Sequence, residues 1–288
     1  MSDRVMAVVL TFDARPALED CLAGIRAQTS PVDTILVVDN ASAESVGDVI
    51  AATPGATLLR LPDNRGPAGG YAEGLGAFLR SDATYAWVMD DDCVAAPGAL
   101  AAQLAITCRA PVVLSRMIDH DTGEITDTVG WCGVLLARDV VEAVGVPDPS
   151  LFWWNEDTEY LQWRIPRAGF RVERCTDAEI AVRRTRPDAA KPAWKYYYET
   201  RNQVYYRLVT QRLRSKPVPS HLRRRVRGGR AARSVGKLAA RAVLRERTQR
   251  VRKLAMVARG TIDGMRGRLG RTVPVDEPDR PLDRESRP

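Results

Sequence analysis

Two separate clusters of carboxylates carry the residue types best suited to chemistry. Asp90–Asp92 follow the apolar run "YAWVM", and Glu156 and Asp157 come directly after the tryptophans Trp153 and Trp154. Three adjacent carboxylates repel one another, and burying one of them unpaired is costly, so we expect a cation beside them. Mg²⁺ or Mn²⁺ fits, because such hard ions commonly bind one or two carboxylates together with phosphate oxygens. The alternative is a solvated turn after a strand.

The spacing of the first cluster assigns different directions to its members. Side chains alternate along a strand, so Asp90 and Asp92 are expected to point into one cleft and hold the metal, while Asp91 points elsewhere. Upstream, the segment "DNRGPAGG" includes Gly66 and Gly69, whose small size permits close backbone approach to a ligand. The helix that follows would offer N–H groups to a phosphate. An ordinary strand-to-helix turn is the alternative, since no known phosphate-loop pattern is matched.

The elements that position these residues follow a βα pattern over the first hundred residues. Short apolar runs alternate with amphipathic segments, as in units that build a parallel sheet. The predicted strands cover 5–12, 33–40, 56–64 and 84–92, and the helices cover 14–29, about 43–52 and 66–81. Ligands bind beyond the carboxyl ends of such strands, so one crevice is expected there. The side chains expected to line it are Thr11, Asp39, Asn64 and Asp90–Asp92, and the pair Asp39-Asn40 is either a base-recognition pair or a simple turn.

The second half of the chain adds two further motifs. The segment 130–145 predicts a strand that carries Gly133, followed by a short helix. In 151–170, Asn155 is expected to cap a helix whose first turn holds the acids, and Gly169 to follow its end. Pro166 should kink or end this helix early. For Trp153 and Trp154, core packing is the favoured interpretation and ligand contact the alternative.

Composition favours a soluble globular protein in a reducing compartment. The 288 residues are 45% hydrophobic and 27% charged, which suits a chain with a sizeable core. The five cysteines are scattered without a C-x-x-C pair, so neither a disulfide framework nor a zinc site is indicated. No basic leader and no run of 18 apolar residues occurs, and we therefore expect neither secretion nor a membrane span.

Charge is distributed unevenly along the chain. Segment 212–271 holds 20 lysines and arginines against Glu246 and Asp263, whereas the whole chain carries only +7. Apolar positions recur in it at helical spacing, at Leu222, Val226, Val235, Leu238, Ala242, Val251, Leu254 and Ala258. A basic amphipathic helix on an anionic membrane is one interpretation, and a solvated helix packed on the main domain is another. Nucleic-acid binding is disfavoured, because the segment lacks interleaved aromatics.

Several of these motifs, in this order, resemble the family 2 glycosyltransferases, enzymes of the GT-A fold that use nucleotide-diphosphate sugars. The matching segments are "VVLTFDAR", "QTSPVDTILVVDNAS", "LPDNRGPAGGYAEGL", "MDDD", "GWCGVLLARDVVEAVG", "LFWWNEDTEYLQWRIPRAGFRV" and "YYYETRN". They span roughly residues 5–205. Within the family, the chain is most similar to bacterial galactofuranosyl- and rhamnosyltransferase-like enzymes of cell-wall and polysaccharide synthesis. The implied fold is α/β, a Rossmann-like mostly parallel sheet flanked by helices.

The resemblance implies a role for each candidate residue. Asp157 would be the general base and Glu156 would orient acceptor hydroxyls, while Asp90 and Asp92 would hold Mn²⁺ or Mg²⁺. The donor, a UDP- or dTDP-sugar, would contact Thr11, Asp39, Asn40, Asn64, Gly66, Gly69, Asp91 and Arg201. Asp39 would read the base and Asp91 would approach the ribose, whereas Arg201 could equally pack a helix. The acceptor, a glycan or a polyprenyl-diphosphate-linked sugar, would contact Trp131, Gly133, Trp153 and Trp154.

One feature departs from the family pattern. Many relatives carry a metal-binding histidine 25–30 residues after the base, but this stretch reads "AEIAVRRTRP". Either the metal has fewer protein ligands, or Arg183 or Arg184 neutralises the diphosphate. His120 and His221 are expected at the surface.

The resemblance also implies a division of the chain and a cellular location. We assign 1–211 to the GT-A domain, 212–271 to a basic helical segment and 272–288 to a disordered tail. The protein is expected in the cytoplasm, peripheral on the inner face of the plasma membrane. Two alternatives remain at this point: a nucleotidyltransferase on a related sheet, and a non-enzymatic membrane or nucleic-acid adaptor.

Overall fold

A computed structural model describes residues 3–126, 128–183, 191–208, 220–244 and 248–275. The chain forms two compact units, residues 1–187 and 188–288. This boundary lies earlier than the division at 211 drawn from the sequence. Arg184, to which a phosphate contact was assigned, lies outside the described residues, as does the predicted tail from residue 276 onward.

One mixed sheet organises the N-terminal unit. Its strands are β1 Val5–Thr11, β2 Thr34–Asp39, β3 Ala56–Arg60, β4 Tyr85–Asp90, β5 Cys93–Ala95, β6 Val112–Asp119, β7 Ile125–Thr126, β8 Val134–Ala137 and β9 Val172–Val182. They lie in the order β3-β2-β1-β4-β8-β6-β9-β5, with β7 paired to β6. The four strands predicted near the N-terminus are confirmed with somewhat different ends. Gly133, however, precedes β8 instead of lying within it.

Strand direction determines where the site forms. β1 pairs in parallel with both β2 and β4, and β2 pairs in parallel with β3. In this register Thr11 lies opposite Asp39, and Leu10 lies opposite Asp90. β8 then runs antiparallel to β4 and β6. The carboxyl ends of four parallel strands therefore meet at one edge, and the expected mixed α/β fold with a mostly parallel first half is confirmed.

Helices cover both faces of this sheet, and three more belong to the C-terminal unit. Their ranges are α1 Arg15–Arg26, α2 Gly47–Ala51, α3 Gly66–Arg80, α4 Ala99–Leu104, α5 Arg138–Val144, α6 Glu156–Glu159, α7 Ile165–Arg167, α8 Ala193–Leu208, α9 Ser220–Leu244 and α10 Arg250–Arg266. A π-helical turn, Tyr160–Arg164, joins α6 to α7. The helix that holds Pro166 ends at Arg167, and Gly169 follows with φ 95°. The predicted early end and its glycine are thus observed.

The glycines of α3 explain how closely this helix packs on the sheet. A β-carbon on Gly74 would lie 2.6 Å from Val8 Cγ1, and one on Gly70 would overlap the Leu10 side chain. Both glycines therefore allow α3 to lie directly on β1, one face of which is apolar over most of its length. Their small size serves helix–sheet packing, which the sequence alone does not distinguish from ligand contact.

Packing between α8 and α10 explains why the C-terminal unit begins before α8. α8 packs against α10, where β-carbons on Gly260 and Gly264 would lie 2.5 Å from the carbonyl oxygens of Tyr197 and Arg201. Such close backbone approach requires glycine at both positions. α8 therefore belongs with the C-terminal helices and not with the sheet.

The apolar stripe predicted for segment 212–271 divides between two environments. Leu238 and Ala242 are buried in a small core with Tyr196 and Val257, and Val235 and Leu254 pack against it. This part of the stripe consequently faces inward, which is a correction to the membrane-facing interpretation. Val251 and Ala258 are exposed. In the described part of the chain, no helix combines the length and apolar character that crossing a bilayer requires.

Candidate functional site

The candidate site lies at the carboxyl edge of the parallel strands. The Asp91 amide donates to the Leu10 carbonyl (3.1 Å), which continues the β1–β4 pairing beyond the end of β4. The Asp90 amide donates to the Trp131 carbonyl (2.7 Å), which brings the segment before β8 to the same place. The aspartate triplet is thus held between two neighbouring chain segments.

The three aspartates face different partners, as the strand alternation predicts. Asp90 Oδ1 accepts a hydrogen bond from the Tyr71 hydroxyl of α3. Asp91 Oδ2 accepts from the Phe12 amide (3.3 Å). Asp92 Oδ1 accepts from the Cys93 thiol (3.7 Å). Each carboxylate therefore accepts from a neutral donor, and no cationic side chain among the described residues offsets the charge of any of the three.

The pKa values of all three aspartates are raised, because they are buried close together without a positive charge beside them. Burial raises the pKa of Asp90 well above its usual range, with the charge of Asp92 as the second cause. Burial also raises the pKa of Asp92, and it raises that of Asp91 to about 7 against the hydrogen bond from the Phe12 amide. Buried carboxylates without a counter-charge offer oxygen ligands that suit a hard divalent cation.

Protein ligands alone do not complete such a site. Across the described ranges, no group of three or more His, Cys, Asp or Glu side chains is arranged to hold a metal ion. A cation bound by Asp90 and Asp92 would need its remaining ligands from phosphate oxygens and water, which is a common arrangement for Mg²⁺.

The acid pair on α6 lies close enough to the triplet for their charges to interact. Burial raises the pKa of Glu156 well above its usual range, and the charges of Asp157 and then Asp90 raise it further. The charge of Asp157 in turn contributes to the raised pKa of Asp90. Glu156 Oε2 is buried and has no hydrogen-bond partner among the described residues. Two carboxylate clusters separated in sequence therefore share one electrostatic environment.

The Asp157 carboxylate is held by the backbone of the next residue. Its Oδ1 accepts a hydrogen bond from the Thr158 amide (2.5 Å). Burial raises its pKa above the usual range. On another side, a β-carbon on Gly130 would lie 3.7 Å from Asp157 Oδ2, so the segment before β8 passes directly beside this carboxylate.

The predicted acceptor contacts Trp131 and Gly133 have structural explanations. Trp131 is buried, with ring centroids 4.6 Å from Tyr71 and 5.7 Å from Tyr160. A β-carbon on Gly133, whose φ is 65°, would lie 2.8 Å from Ile180 Cδ1. Neither residue presents an open surface to a ligand, so both position the site through packing.

The segment before α6 is strained and presents aromatic surface. Phe152, Trp154 and Asn155 all have positive φ, at 60°, 74° and 69°, and such strain concentrates at functional sites. Trp153 and Trp154 stack with centroids 5.1 Å apart. Trp154 is 43% exposed, so the favoured core interpretation is wrong for this side chain. Asn155 occupies the predicted N-cap position, but its side chain makes no capping hydrogen bond.

The start of α3 is used by the protein itself. The Ala68 amide donates to the Phe152 carbonyl (3.2 Å), and the Gly66 amide donates to Asn64 Oδ1 (2.8 Å). Asn40 Nδ2 donates to the same oxygen (3.2 Å). A β-carbon on Gly69 would lie 2.5 Å from the Arg65 β-carbon. The Ala68 amide therefore anchors the Phe152 segment and the Gly66 amide binds Asn64, which corrects the expectation that these amides are offered to phosphate.

We expect Gly66→Ala to damage stability and activity together. A β-carbon at 66 would lie 2.6 Å from the Phe152 carbonyl carbon and closer still to its oxygen, and φ is 67°. The segment leading into α6 must then shift, with an expected loss of about 3 kcal/mol in unfolding free energy. Displacing a catalytic group by 1 Å can lower a rate roughly 100-fold. Chemical denaturation and a transfer assay measure the two effects.

Gly55→Ala is the matched control for this prediction. Gly55 also has positive φ (78°), but a β-carbon there would meet nothing within 4 Å. It should show the backbone strain alone, about 1 kcal/mol, with full activity. Equal behaviour of the two variants would contradict the proposed anchoring contact.

Asp39 is buried and fixed by a residue that the sequence did not single out. Its Oδ2 pairs with Arg60 Nη1 (2.9 Å), and its Oδ1 accepts from the Ser42 amide (2.8 Å). Arg60 Nη2 also donates to the Ser42 carbonyl (2.7 Å). Arg60 ends β3 beside Asp39 in the sheet register, which is the signal that could have revealed it. Tyr71, the donor to Asp90, was missed likewise.

Two arginines assigned to phosphate have other partners. Arg201 lies buried in the C-terminal unit, where its Nη1 donates to the Gly270 carbonyl (2.5 Å) and its guanidinium stacks 4.8 Å from the Tyr198 centroid. Burial lowers its pKa. This arrangement favours the helix-packing alternative. Arg183 pairs with Asp20 of α1.

The amino-acid sequence is similar to those of known glycosyltransferases. A sequence model described as Glycosyl transferase family 2 matches residues 6–131. Galactofuranosyltransferase GlfT1 of Mycolicibacterium smegmatis is 27% identical over 209 residues, which are 60% of this chain and 69% of that protein. GlfT1 of Mycobacterium tuberculosis H37Rv is 29% identical over 213 residues, 62% of this chain and 69% of that protein.

Solved structures match the fold. Mannosyltransferase PcManGT from Pyrobaculum calidifontis, in complex with GDP-Man and Mn²⁺, gives a TM-score of 0.58 at 16% identity, covering 93% of this chain and 88% of that chain. S. aureus TarS 1–349, in complex with UDP, gives a TM-score of 0.54 at 12% identity, covering 92% of each chain.

Proposed function

We propose that this chain, a member of the family 2 glycosyltransferases, moves a hexosyl group from a nucleotide-diphosphate sugar to an acceptor. The proposed acceptor is a glycan or a polyprenyl-diphosphate-linked sugar. The transfer would invert the configuration at the anomeric carbon. The observation that carries the proposal is that residues 130–131 contact both carboxylate clusters: the Trp131 carbonyl accepts from the Asp90 amide (2.7 Å), and a β-carbon on Gly130 would lie 3.7 Å from Asp157 Oδ2. One cluster suits a cation-bridged diphosphate, and the other suits an acceptor hydroxyl. The relatives support cell-wall polysaccharide synthesis as the setting.

The donor side would be read by groups at the strand ends. Asp39, fixed by Arg60 and Ser42, would accept a hydrogen bond from the imide N–H of uracil or thymine. Thr11 would line the base pocket and Asp91 would meet the ribose, while Asn40 and Asn64 hold the adjoining loop. A UDP- or dTDP-sugar is therefore the proposed donor. The similarity to galactofuranosyltransferases makes UDP-galactofuranose the first candidate.

The chemistry would divide between the two clusters. Asp90 and Asp92 would hold Mn²⁺ or Mg²⁺, which supplies Lewis-acid stabilisation of the negative charge on the leaving diphosphate. Asp157 would accept the proton of the acceptor hydroxyl, and burial favours this because it raises the basicity of the carboxylate. Glu156 would orient the acceptor, and the exposed ring of Trp154 would offer it an apolar face. A single displacement with one base inverts the anomeric centre.

We also propose that the enzyme acts at the inner face of the plasma membrane. The C-terminal unit supplies cationic helices, with no acid in Ser220–Leu244 and one in Arg250–Arg266. Such a surface is attracted to anionic phospholipids and would bring the catalytic unit to a lipid-linked acceptor.

A donor screen tests the proposed function. Purified protein would be heated with UDP-galactofuranose, UDP-glucose, dTDP-rhamnose or GDP-mannose, each with and without Mn²⁺. A donor at about 100 times its Kd should raise the unfolding free energy by about 2.7 kcal/mol. We expect stabilisation by a uridine or thymidine sugar that requires Mn²⁺, followed by transfer to a lipid-linked acceptor. Stabilisation by GDP-mannose alone would refute the base assignment.

A further inference from the structure

The outward face of α10 carries a regular apolar stripe. Its members are Val251, Ala255, Ala258, Ile262 and Met265, all exposed and spaced four, three, four and three residues apart. This spacing places them on one side of the helix. Val251 is 82% exposed, Ile262 44% and Met265 56%. We refer to these five residues as the α10 stripe.

The opposite side of α10 already has its partner. Lys253, Val257, Gly260 and Gly264 are buried, and the two glycines lie against the backbone of α8. The α10 stripe is therefore additional to the face that folds the unit. Of the apolar positions that the sequence analysis assigned to a membrane-facing helix, Val251 and Ala258 belong to the α10 stripe, whereas Leu238 and Ala242 are buried.

Charge on α10 restricts what could cover the stripe. Arg252, Arg259 and Arg266 are exposed, recur every seven residues, and each follows a stripe residue directly. The single acid of the helix, Asp263, is buried and hydrogen-bonded to Tyr197 (2.8 Å). Arginines therefore recur along one side of the stripe over a helix of about 25 Å, and of these Arg259 also lies 3.8 Å from Asp263 and 5.6 Å from the Tyr197 ring centroid.

We propose that the α10 stripe lies in the interfacial region of a bilayer that contains anionic phospholipid, with the three arginines at the headgroups. An amphipathic helix with apolar side chains on one face and arginines beside it binds such surfaces in the plane of the interface. Pairing with a second copy would instead oppose two lines of arginines, with no exposed acid on α10 to offset them. The inference rests on the membrane association within the proposed function and assigns it to five residues.

A vesicle-binding experiment with the full chain tests this assignment. Parent protein and the double variant Val251→Asp/Ile262→Asp would be floated with phosphatidylcholine vesicles, with and without phosphatidylglycerol. We expect the parent to bind only the anionic vesicles and the variant to lose roughly tenfold or more in partition. Ile125→Asp is the matched control, because Ile125 is 55% exposed on β7 in the other unit. It should bind as the parent does.

Two further readouts separate the possible failures. Donor binding, measured by thermal shift, should be equal in all three proteins, so a defect there would reflect the catalytic unit and not the stripe. The proposal is overturned if the double variant binds vesicles like the parent, if neutral vesicles bind equally, or if Ile125→Asp loses binding too. It is also overturned if sedimentation shows a parent dimer that the double variant dissociates, since the stripe would then join two copies.

Discussion

Asp157→Asn is expected to lower the transfer rate about 1000-fold while nucleotide binding persists. General-base catalysis contributes roughly 10²- to 10⁴-fold, and an amide has no basic lone pair to accept the proton. The substitution keeps the fold, because the amide oxygen can still accept from the Thr158 N–H that Asp157 binds at 2.5 Å. Single-turnover transfer of labelled sugar gives the rate, and calorimetry gives the nucleotide Kd.

Glu159→Gln serves as the control within the same helix. Glu159 pairs with Arg164 through Nε at 3.1 Å and Nη2 at 2.5 Å, so it supports α6 without facing the acid pair. This variant should lose some stability and keep its activity. If Asp157→Asn turned over at the parent rate, or if Glu159→Gln fell equally far, the base would have to be sought elsewhere.

Asp92→Asn is expected to have effects of opposite sign in the free and liganded protein. Removing one charge from a buried, uncompensated triplet relieves repulsion, so the free protein should gain about 1 kcal/mol or more in unfolding free energy. With Mn²⁺ and nucleotide, losing a charged oxygen ligand should weaken binding roughly tenfold, or about 1.4 kcal/mol. Denaturation curves with and without both ligands measure the two changes.

The opposite signs distinguish ligand binding from structural support. A residue that only stabilised the fold would lower the unfolding free energy in both conditions. Asp177→Asn, an exposed change on β9, should move neither value. Nucleotide binding that is equally strong with Mn²⁺ and with a chelator would show that Asp92 holds no metal.

The carboxyl ends of the parallel strands were predicted correctly because they follow a simple local sequence pattern. Apolar runs that end in polar residues, at Thr11, Asp39 and Asp90, identify the carboxyl edge of a parallel sheet without knowledge of the partner strands. The position of α6 was equally clear from its acids and from Gly169. These features depend on local composition, and local composition is what a sequence displays directly.

Other parts of the site depend on contacts between distant segments. Position 66 must be glycine because the Phe152 backbone, 86 positions later in the chain, leaves no space for a β-carbon. No sequence feature near either residue predicts this contact. Arg60 becomes meaningful only after β2 and β3 are paired. The family resemblance assigned Trp131 to the acceptor, yet its ring packs on Tyr71. Residue type alone does not separate a ring that binds a ligand from one that fills a core.

The C-terminal helices show the same limit for periodicity. A repeat of 3.6 residues identifies the faces of a helix, but in α10 both faces carry apolar residues. Which face packs is decided by Gly260 and Gly264, whose lack of side chains admits α8. The sequence drew one stripe through the segment, whereas the structure separates a buried face from an exposed one.

The bonds between α8 and the residues after α10 determine where the polypeptide could be shortened. Tyr198 donates to the Val273 carbonyl (2.8 Å), Tyr197 bonds Thr272 (2.6 Å), and Arg201 holds the Gly270 carbonyl. Truncation at residue 211 would remove all three partners of α8, which are Gly270, Thr272 and Val273. The tyrosines of α8 would then be exposed to solvent, so such a fragment should aggregate or be degraded. A soluble truncated enzyme would have to keep the chain through at least Val273 or discard α8 along with it.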